Sequence, residues 1–218
     1  MVICLGSSGI TAENACWTIG RIKYSGGGDW YADPTSLPNL LARVKKDLGA
    51  NVCNEEKTVT LLDGSLYDYP VLYLTGHGNI FFSEEERRAL REYLFQGGLL
   101  VADDNYGLDS SFRREMHQLF KNRPLYELNP KHPVFSSFYN FPKGLPKIHQ
   151  HDGKRPQAFG IDLEDRTVVF YSYECDLGDG WENQEVHNVT PHLREKSLKM
   201  GVNIIAWLLQ GQMNQAQQ

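Results

Sequence analysis

The sequence predicts a three-layer α/β fold, doubly wound around a mainly parallel sheet. Three observations predict it. Apolar runs of strand length alternate with stretches of helical periodicity, the order of a βαβ chain rather than of separate α and β domains. The runs Val71-Leu72-Tyr73-Leu74 and Leu99-Leu100-Val101-Ala102 are apolar without alternation, as strands covered on both faces are. One capped helix joins those two runs through short connections, so the strands are parallel and linked by a right-handed crossover.

Residues 19–24 read as the first strand, with Ile19 and Ile22 apolar and Tyr24 closing the run. A polar loop follows, Ser25-Gly26-Gly27-Gly28-Asp29-Trp30 and on to Pro34. Ser36-Leu37-Pro38 opens a helix, with Ser36 as cap and proline tolerated in the first turn. Leu40, Leu41, Val44 and Leu48 form its buried stripe, and Gly49 ends it. Residues 58–62 are a second short strand. After 71–74, Ser83-Glu84-Glu85-Glu86 is a capping box whose acids also complement the helix dipole. Gly97-Gly98 supplies the left-handed turn that ends this helix. Residues 110–121 form another helix with Phe112, Met116, Leu119 and Phe120 on one side, and 125–128 a strand. From 129 to 156 histidine, proline and aromatics crowd together without periodicity, which reads as a long ordered insertion over the sheet edge. Residues 158–161 and 167–173 form a hairpin. A final helix carries Leu198, Val202, Ile205 and Leu209. The expected organisation is a tail at 1–18, a single α/β domain at 19–210 and a glutamine-rich, fraying tail at 211–218.

With 218 residues and 41% hydrophobic content, the chain suits one domain with a sizeable core. No run approaches the length of a membrane span. A net charge of -5 and a pI near 5.8 argue against a nucleic-acid binder, which shows a basic face. Cys4, Cys16, Cys53 and Cys175 are too few and scattered for a disulfide framework and lack zinc-knuckle spacing. They leave the redox compartment open. Val2 to Leu5 is too short for the apolar core of a signal peptide; it reads as the end of a longer export signal or as a plain tail.

Ligands in such folds bind outside the carboxyl ends of the strands. Four polar loops follow strands here: 26–30, 76–78, 103–107 and 176–182. They are expected to converge on one edge. His77, between Gly76 and Gly78, reads as a general base or metal ligand. Asp103 and Asp104, followed by Asn105, read as acid, base or ligand. Gly27, Asp29 and Trp30 form a close-packed turn without the lysine of a phosphate loop. Asp176, Asp179 and Trp181 combine carboxylates with an indole, a set that suits sugar recognition or calcium. Each has a purely structural alternative: a loop tied by a ring nitrogen, a helix cap, an ordered turn. His149-Gln150-His151-Asp152 has ligand residue types but reads as surface decoration in a non-periodic basic loop.

Four of these segments carry a resemblance: 24–31, 73–78, 97–104 and 176–182. Taken in order across residues 19–209, the chain resembles the bacterial family called domain of unknown function 4159. The resemblance implies a flavodoxin-like fold of the class I glutamine amidotransferase type, and that many relatives are exported. It implies no established activity. In amidotransferases the nucleophilic cysteine sits on the turn that is Asp103-Asp104-Asn105 here. That turn has no cysteine, and His187 and His192 lack the His-x-Glu spacing of the partner pair. Thiolate chemistry needs a cysteine beside a base, so amidotransferase activity is not expected.

The sequence thus points to a binding module for a small polar ligand, such as a carbohydrate, or for a protein partner at the strand edge. The alternative is a hydrolase using His77 and Asp103, assisted by Asp176 or a divalent cation. No cofactor beyond such a cation is expected, nor is a nucleic-acid partner. An exported, periplasmic location is favoured over a cytoplasmic one.

Overall fold

Five mutually parallel strands form the body of the sheet: β1 (Ile19–Ile22), β2 (Lys57–Val59), β3 (Val71–Gly76), β4 (Leu99–Asp104) and β7 (Arg166–Tyr173). Two more, β5 (Tyr126–Glu127) and β6 (Gln157–Leu163), continue it in antiparallel fashion. The order across the sheet is β2-β1-β3-β4-β7-β6-β5. This computed structural model describes residues 16–215, the side chains of 212–215 excepted. The readings placed on Cys4 and on the segment 2–5 lie outside the described residues.

The predicted crossover is present. β3 pairs with β4 in parallel, Thr75 opposite Asp103 and Gly76 opposite Asp104. Helix α2 (Glu84–Phe95) joins them, and Ser83 and Glu86 form the capping box in both directions. Helices α1 (Ser36–Leu48), α3 (Asp109–Leu119) and α6 (Pro191–Gln215) complete the outer layers. Period-two alternation along the strands sorts the core onto two faces. Val71, Tyr73, Leu99, Val101 and Phe170 pack with Leu37, Leu40, Leu41 and Val44 of α1 and with Val202 and Ile205 of α6. Leu72, Leu74, Leu100, Ala102 and Tyr171 pack with Leu90 and Leu94 of α2 and with Phe112 and Met116 of α3. The result is an α/β, mostly parallel sheet covered on both faces, consistent with a flavodoxin-like fold.

Several local expectations are corrected. The first strand stops at Ile22, and Tyr24 is buried as a tether instead, its hydroxyl donating to the Thr75 carbonyl at 3.1 Å. Ser36 does not cap α1: its Oγ donates to Asp33 O, and the Glu182 carboxylate accepts from the Thr35 and Ser36 amides at 2.8 and 3.1 Å. A carboxylate from another loop is the better cap because it meets two orphan amides at the positive end of the helix. The C-terminal helix runs to Gln215, through residues whose composition predicts fraying. Cys16 and Cys53 form a disulfide, although the spacing of the cysteines gives no hint of one. An isolated parallel bridge between Trp17 and Val52 brings their sequence neighbours together. Cys175 is buried and free, and burial pushes its thiol well up, away from thiolate.

Candidate functional site

The loops after β1, β3, β4 and β7 meet at the carboxyl edge because these strands are parallel neighbours. Hydrogen bonds lace them together. Gly28 N–H donates to Asn79 O at 3.1 Å, and Asn105 Nδ2 to Asp33 Oδ2 at 2.6 Å. Asp103 accepts from the Leu177 and Gly178 amides at 3.2 and 2.6 Å. Those amides open the short helix α4 (Leu177–Trp181). Gly178 must lack a side chain: a Cβ there would lie 2.7 Å from Asp33 Oδ2, 2.9 Å from the Tyr73 hydroxyl and 3.1 Å from Asp103 Oδ2.

The 129–156 insertion closes over this edge. Ile148 N–H donates to Cys175 O at 2.9 Å and so docks its last stretch beside the β7 exit. His149 and His151, two apart in a segment without regular secondary structure, both reach Asp176. His149 Nδ1 lies 3.4 Å from Asp176 Oδ2 and 2.7 Å from Asp179 Oδ2, and His151 Nε2 contacts Asp176 Oδ2. From the other side, His187, at the end of helix α5 (Gln184–His187), places Nε2 3.5 Å from Asp33 Oδ1 and 3.6 Å from Asp179 Oδ1. The six side chains form two groups: His149, His151 and Asp176, and Asp33, Asp179 and His187. Within each group the ligand atoms all lie within 4.8 Å of one another.

Three features separate this cluster from an ordinary ion-pair network. Among the described residues, none of its three carboxylates pairs with lysine or arginine. Asp176 is 1% exposed, and its Oδ1 is buried without a hydrogen-bond partner, although buried polar atoms are nearly always satisfied. And the backbone is strained around it: Asp33, Tyr106, Glu174 and Asp176 hold φ of 55°, 77°, 58° and 56°. Such conformations cost on the order of 1–3 kcal/mol each and gather at functional sites.

The electrostatics follow from this crowding. Hydrogen bonds that His149 donates to Asp176 and Asp179 push it up to about 10, so it balances the acids as an imidazolium. Burial, reinforced by Asp179, pushes Asp33 up to about 6. Burial alone would raise Asp179, but the His149 hydrogen bond and the His187 charge outweigh it and hold that carboxyl below its ordinary value. Burial also raises Asp104 to about 6 and Asp103 well above the carboxylate range. Mixed imidazole and carboxylate donors suit zinc, manganese or iron(II) better than calcium or magnesium, which prefer all-oxygen shells.

The structure redistributes the residues the sequence singled out. Asp176 and Asp179 are in the cluster. Asp103 and Asp104 line it from beneath as buried supports: Asp103 also accepts from Ser172 Oγ, and Asp104 Oδ1 accepts from the Leu108 amide at 2.9 Å. Asn105 holds Asp33. His77 does not pair with Asp103. Its Nδ1 lies 3.0 Å from Asp29 Oδ2, and its amide donates to Asp29 Oδ1, on an exposed rim beside Gly27, Gly76 and Gly78. Gly76 takes a φ of 132° and abuts Asp29, which fixes that turn. Trp30 stacks under Lys23 rather than facing the cluster. Trp181 is 1% exposed and belongs to the core; its indole N–H donates to Ser197 O at 2.9 Å, so it offers no face to a sugar.

Sequence reasoning passed over His149, His151, His187 and Asp33. The first pair had a usable signal, ligand residue types at alternating positions, but in sequence it reads as surface decoration, whereas both rings contact Asp176. His187 and Asp33 had none, since only the fold brings them to Asp179. Tyr106 is a further addition at the mouth: its ring stacks on His151 at 4.5 Å between centroids, and its hydroxyl donates to Asp152 at 2.9 Å. A cavity of about 720 Å³ lies elsewhere, between α2 and the end of α3, lined by Arg87, Arg88, Arg91, Lys121 and Arg123. It lacks the convergent histidines and carboxylates of the sheet edge.

A family model described as Domain of unknown function (DUF4159) matches residues 18–209, so the chain belongs to that family. No curated protein matches the chain.

Proposed function

We propose that this DUF4159 member binds a divalent transition-metal ion at the carboxyl edge of its sheet and presents that ion to a small polar ligand. The observation that carries the reading is the convergence of three histidines and three aspartates, the aspartates having no lysine or arginine partner among the described residues. The unpartnered Asp176 Oδ1 supports it, because a metal would satisfy that atom. Asp103, Asn105 and Ser172 orient the ligand loops from behind, as outer-shell partners do in metal sites. The Cys16–Cys53 disulfide supports an exported location, where disulfides persist.

Metal-assisted hydrolysis is a second reading, favoured by one observation. Three protein ligands per group leave coordination positions for water and substrate, as catalytic sites do and closed structural sites do not. In that reading an ion held by these residues would supply the activation of water that the sequence reading gives to His77 and Asp103.

The test is calorimetric titration of chelator-treated protein with Zn²⁺, Mn²⁺, Mg²⁺ and Ca²⁺, paired with thermal unfolding. Zn²⁺ or Mn²⁺ is expected to bind in the micromolar range or tighter and to raise the melting temperature. The H149A/H151A double variant is expected to lose most of that affinity while H77A retains it. Absence of binding by all four ions, or equal binding by the double variant, refutes the proposal.

A further inference from the structure

We propose that the site holds two divalent ions, bridged by the carboxylate of Asp179; the inference rests on the metal-binding reading above. Each ligand group is complete enough for an ion of its own, with three donors within 4.8 Å of one another. Asp179 stands between them and divides its oxygens. Oδ2 faces His149 Nδ1 at 2.7 Å, in the first group, and Oδ1 faces His187 Nε2 at 3.6 Å, in the second. A carboxylate that turns one oxygen to each of two imidazoles has the geometry of a bridge, because both nitrogens can bind metal only on their own sides.

The spacings agree with such a pair. A tetrahedral transition metal with ligands at about 2.0–2.2 Å holds its donors roughly 3.3–3.6 Å apart. The donor separations in the cluster bracket that spacing: 2.7 Å for His149 with Asp179, 3.4 Å for His149 with Asp176, 3.5 Å for His187 with Asp33 and 3.6 Å for His187 with Asp179. The ring centroid of His149 lies 6.0 Å from that of His151 and 5.8 Å from that of His187, so His149 neighbours the histidine of each group. Two-metal sites space their ions about 3.5–4 Å apart, a distance one carboxylate bridges. Charge argues the same way: with metal in place of the His149 proton, ionised Asp33, Asp176 and Asp179 bring three negative charges, more than one divalent ion neutralises.

Asp176 Oδ1 is the second, independent pointer to a ligand. It is buried and unpartnered while Oδ2 meets both His149 and His151. A substrate suited to the pair is an oxyanion with two oxygens to offer, a phosphate or carboxylate group, entering beside Tyr106, which is half exposed.

The full chain, stripped by chelator and reloaded with Mn²⁺, tests this by metal analysis and electron paramagnetic resonance. Two ions per chain with an exchange-coupled multiline spectrum are expected for the wild type. D179A is expected to bind at most one ion and to show only the six-line signal of isolated Mn²⁺, with circular dichroism unchanged. H187A, which removes a ligand of the second group alone, is expected to retain one. A saturated wild type with one ion and an uncoupled spectrum overturns the bridged pair while leaving metal binding intact. No bound ion at all overturns both. The wild-type spectrum decides the matter even if D179A does not fold.

Discussion

Replacing Asp104 with Asn should stabilise the protein, and only above acidic pH. Asp104 is 3% exposed, and burial, with Asp109 and Asp176 nearby, pushes its carboxyl from 3.8 up to about 6. A raised carboxyl is a cost of ionisation: it is absent below the unfolded value, grows between about 4 and 6, and is complete above the folded value. The shift corresponds to about 3 kcal/mol at neutral pH. Asn removes the charge and keeps an oxygen for the Leu108 amide. Its amide group cannot accept from the Tyr106 N–H, which also lowers the Asp104 value, so about 1 kcal/mol is lost again. The net gain is about 1–2 kcal/mol, or roughly 2–8 °C in melting temperature for a domain of this length. Thermal unfolding of both proteins without metal, from pH 4 to pH 8, measures it. The difference should be near zero or negative at pH 4 and reach its full size by pH 7. A variant less stable than wild type at pH 8, or a difference that does not change with pH, refutes the electrostatic account.

Three further outcomes follow from the packing. Glu182→Ala removes the acceptor for the Thr35 and Ser36 amides and should cost about 2–4 kcal/mol in urea unfolding, with E182Q losing less than half of that. Trp181→Ala empties a fully buried position and should cost about 3–5 kcal/mol; a loss of sugar binding without a loss of stability would restore the sequence-based role for this residue. Cys16→Ser opens a link spanning 37 residues and should lower stability by about 3–4 kcal/mol on chain entropy, matched by reduction of the wild type with dithiothreitol.

The sheet was legible because its signals are local. Val71-Leu72-Tyr73-Leu74 and Leu99-Leu100-Val101-Ala102 are apolar on both faces, and Ser83 with Glu86 marks a helix start within four residues. From those elements alone, parallel pairing and a shared edge for four loops follow. The proposed ligand set was only half legible. Asp176 and Asp179 follow a strand directly and were visible as strand-end carboxylates. His149, His151, His187 and Asp33 come from segments whose course no periodicity specifies, and apart from His187 with Asp179 they meet through contacts 25 or more residues apart in the chain, as His151 and Asp176 do. Trp181 misled because an aromatic beside acids looks the same in sequence whether its ring faces solvent or Ser197.

The same division explains why His77 drew attention first. Flanking glycines make a residue conspicuous, yet here they serve the turn: Gly76 lets Asp29 approach the strand end, and Asp29 then occupies the His77 ring and amide. The less conspicuous residues carry the unresolved energy. His77 has one acid and half its surface in water, so nothing in its surroundings needs a further partner. Asp33 and Asp176 are buried, adopt positive φ, and depend on imidazoles alone for counter-charge. A fold selected for stability alone would replace them with neutral side chains, since burying a carboxylate without a strong cationic partner is costly. Their presence together at the carboxyl edge of the sheet is accounted for if another cation completes the site, and the low exposure of Asp176 leaves that role to an ion small enough to sit among the side chains.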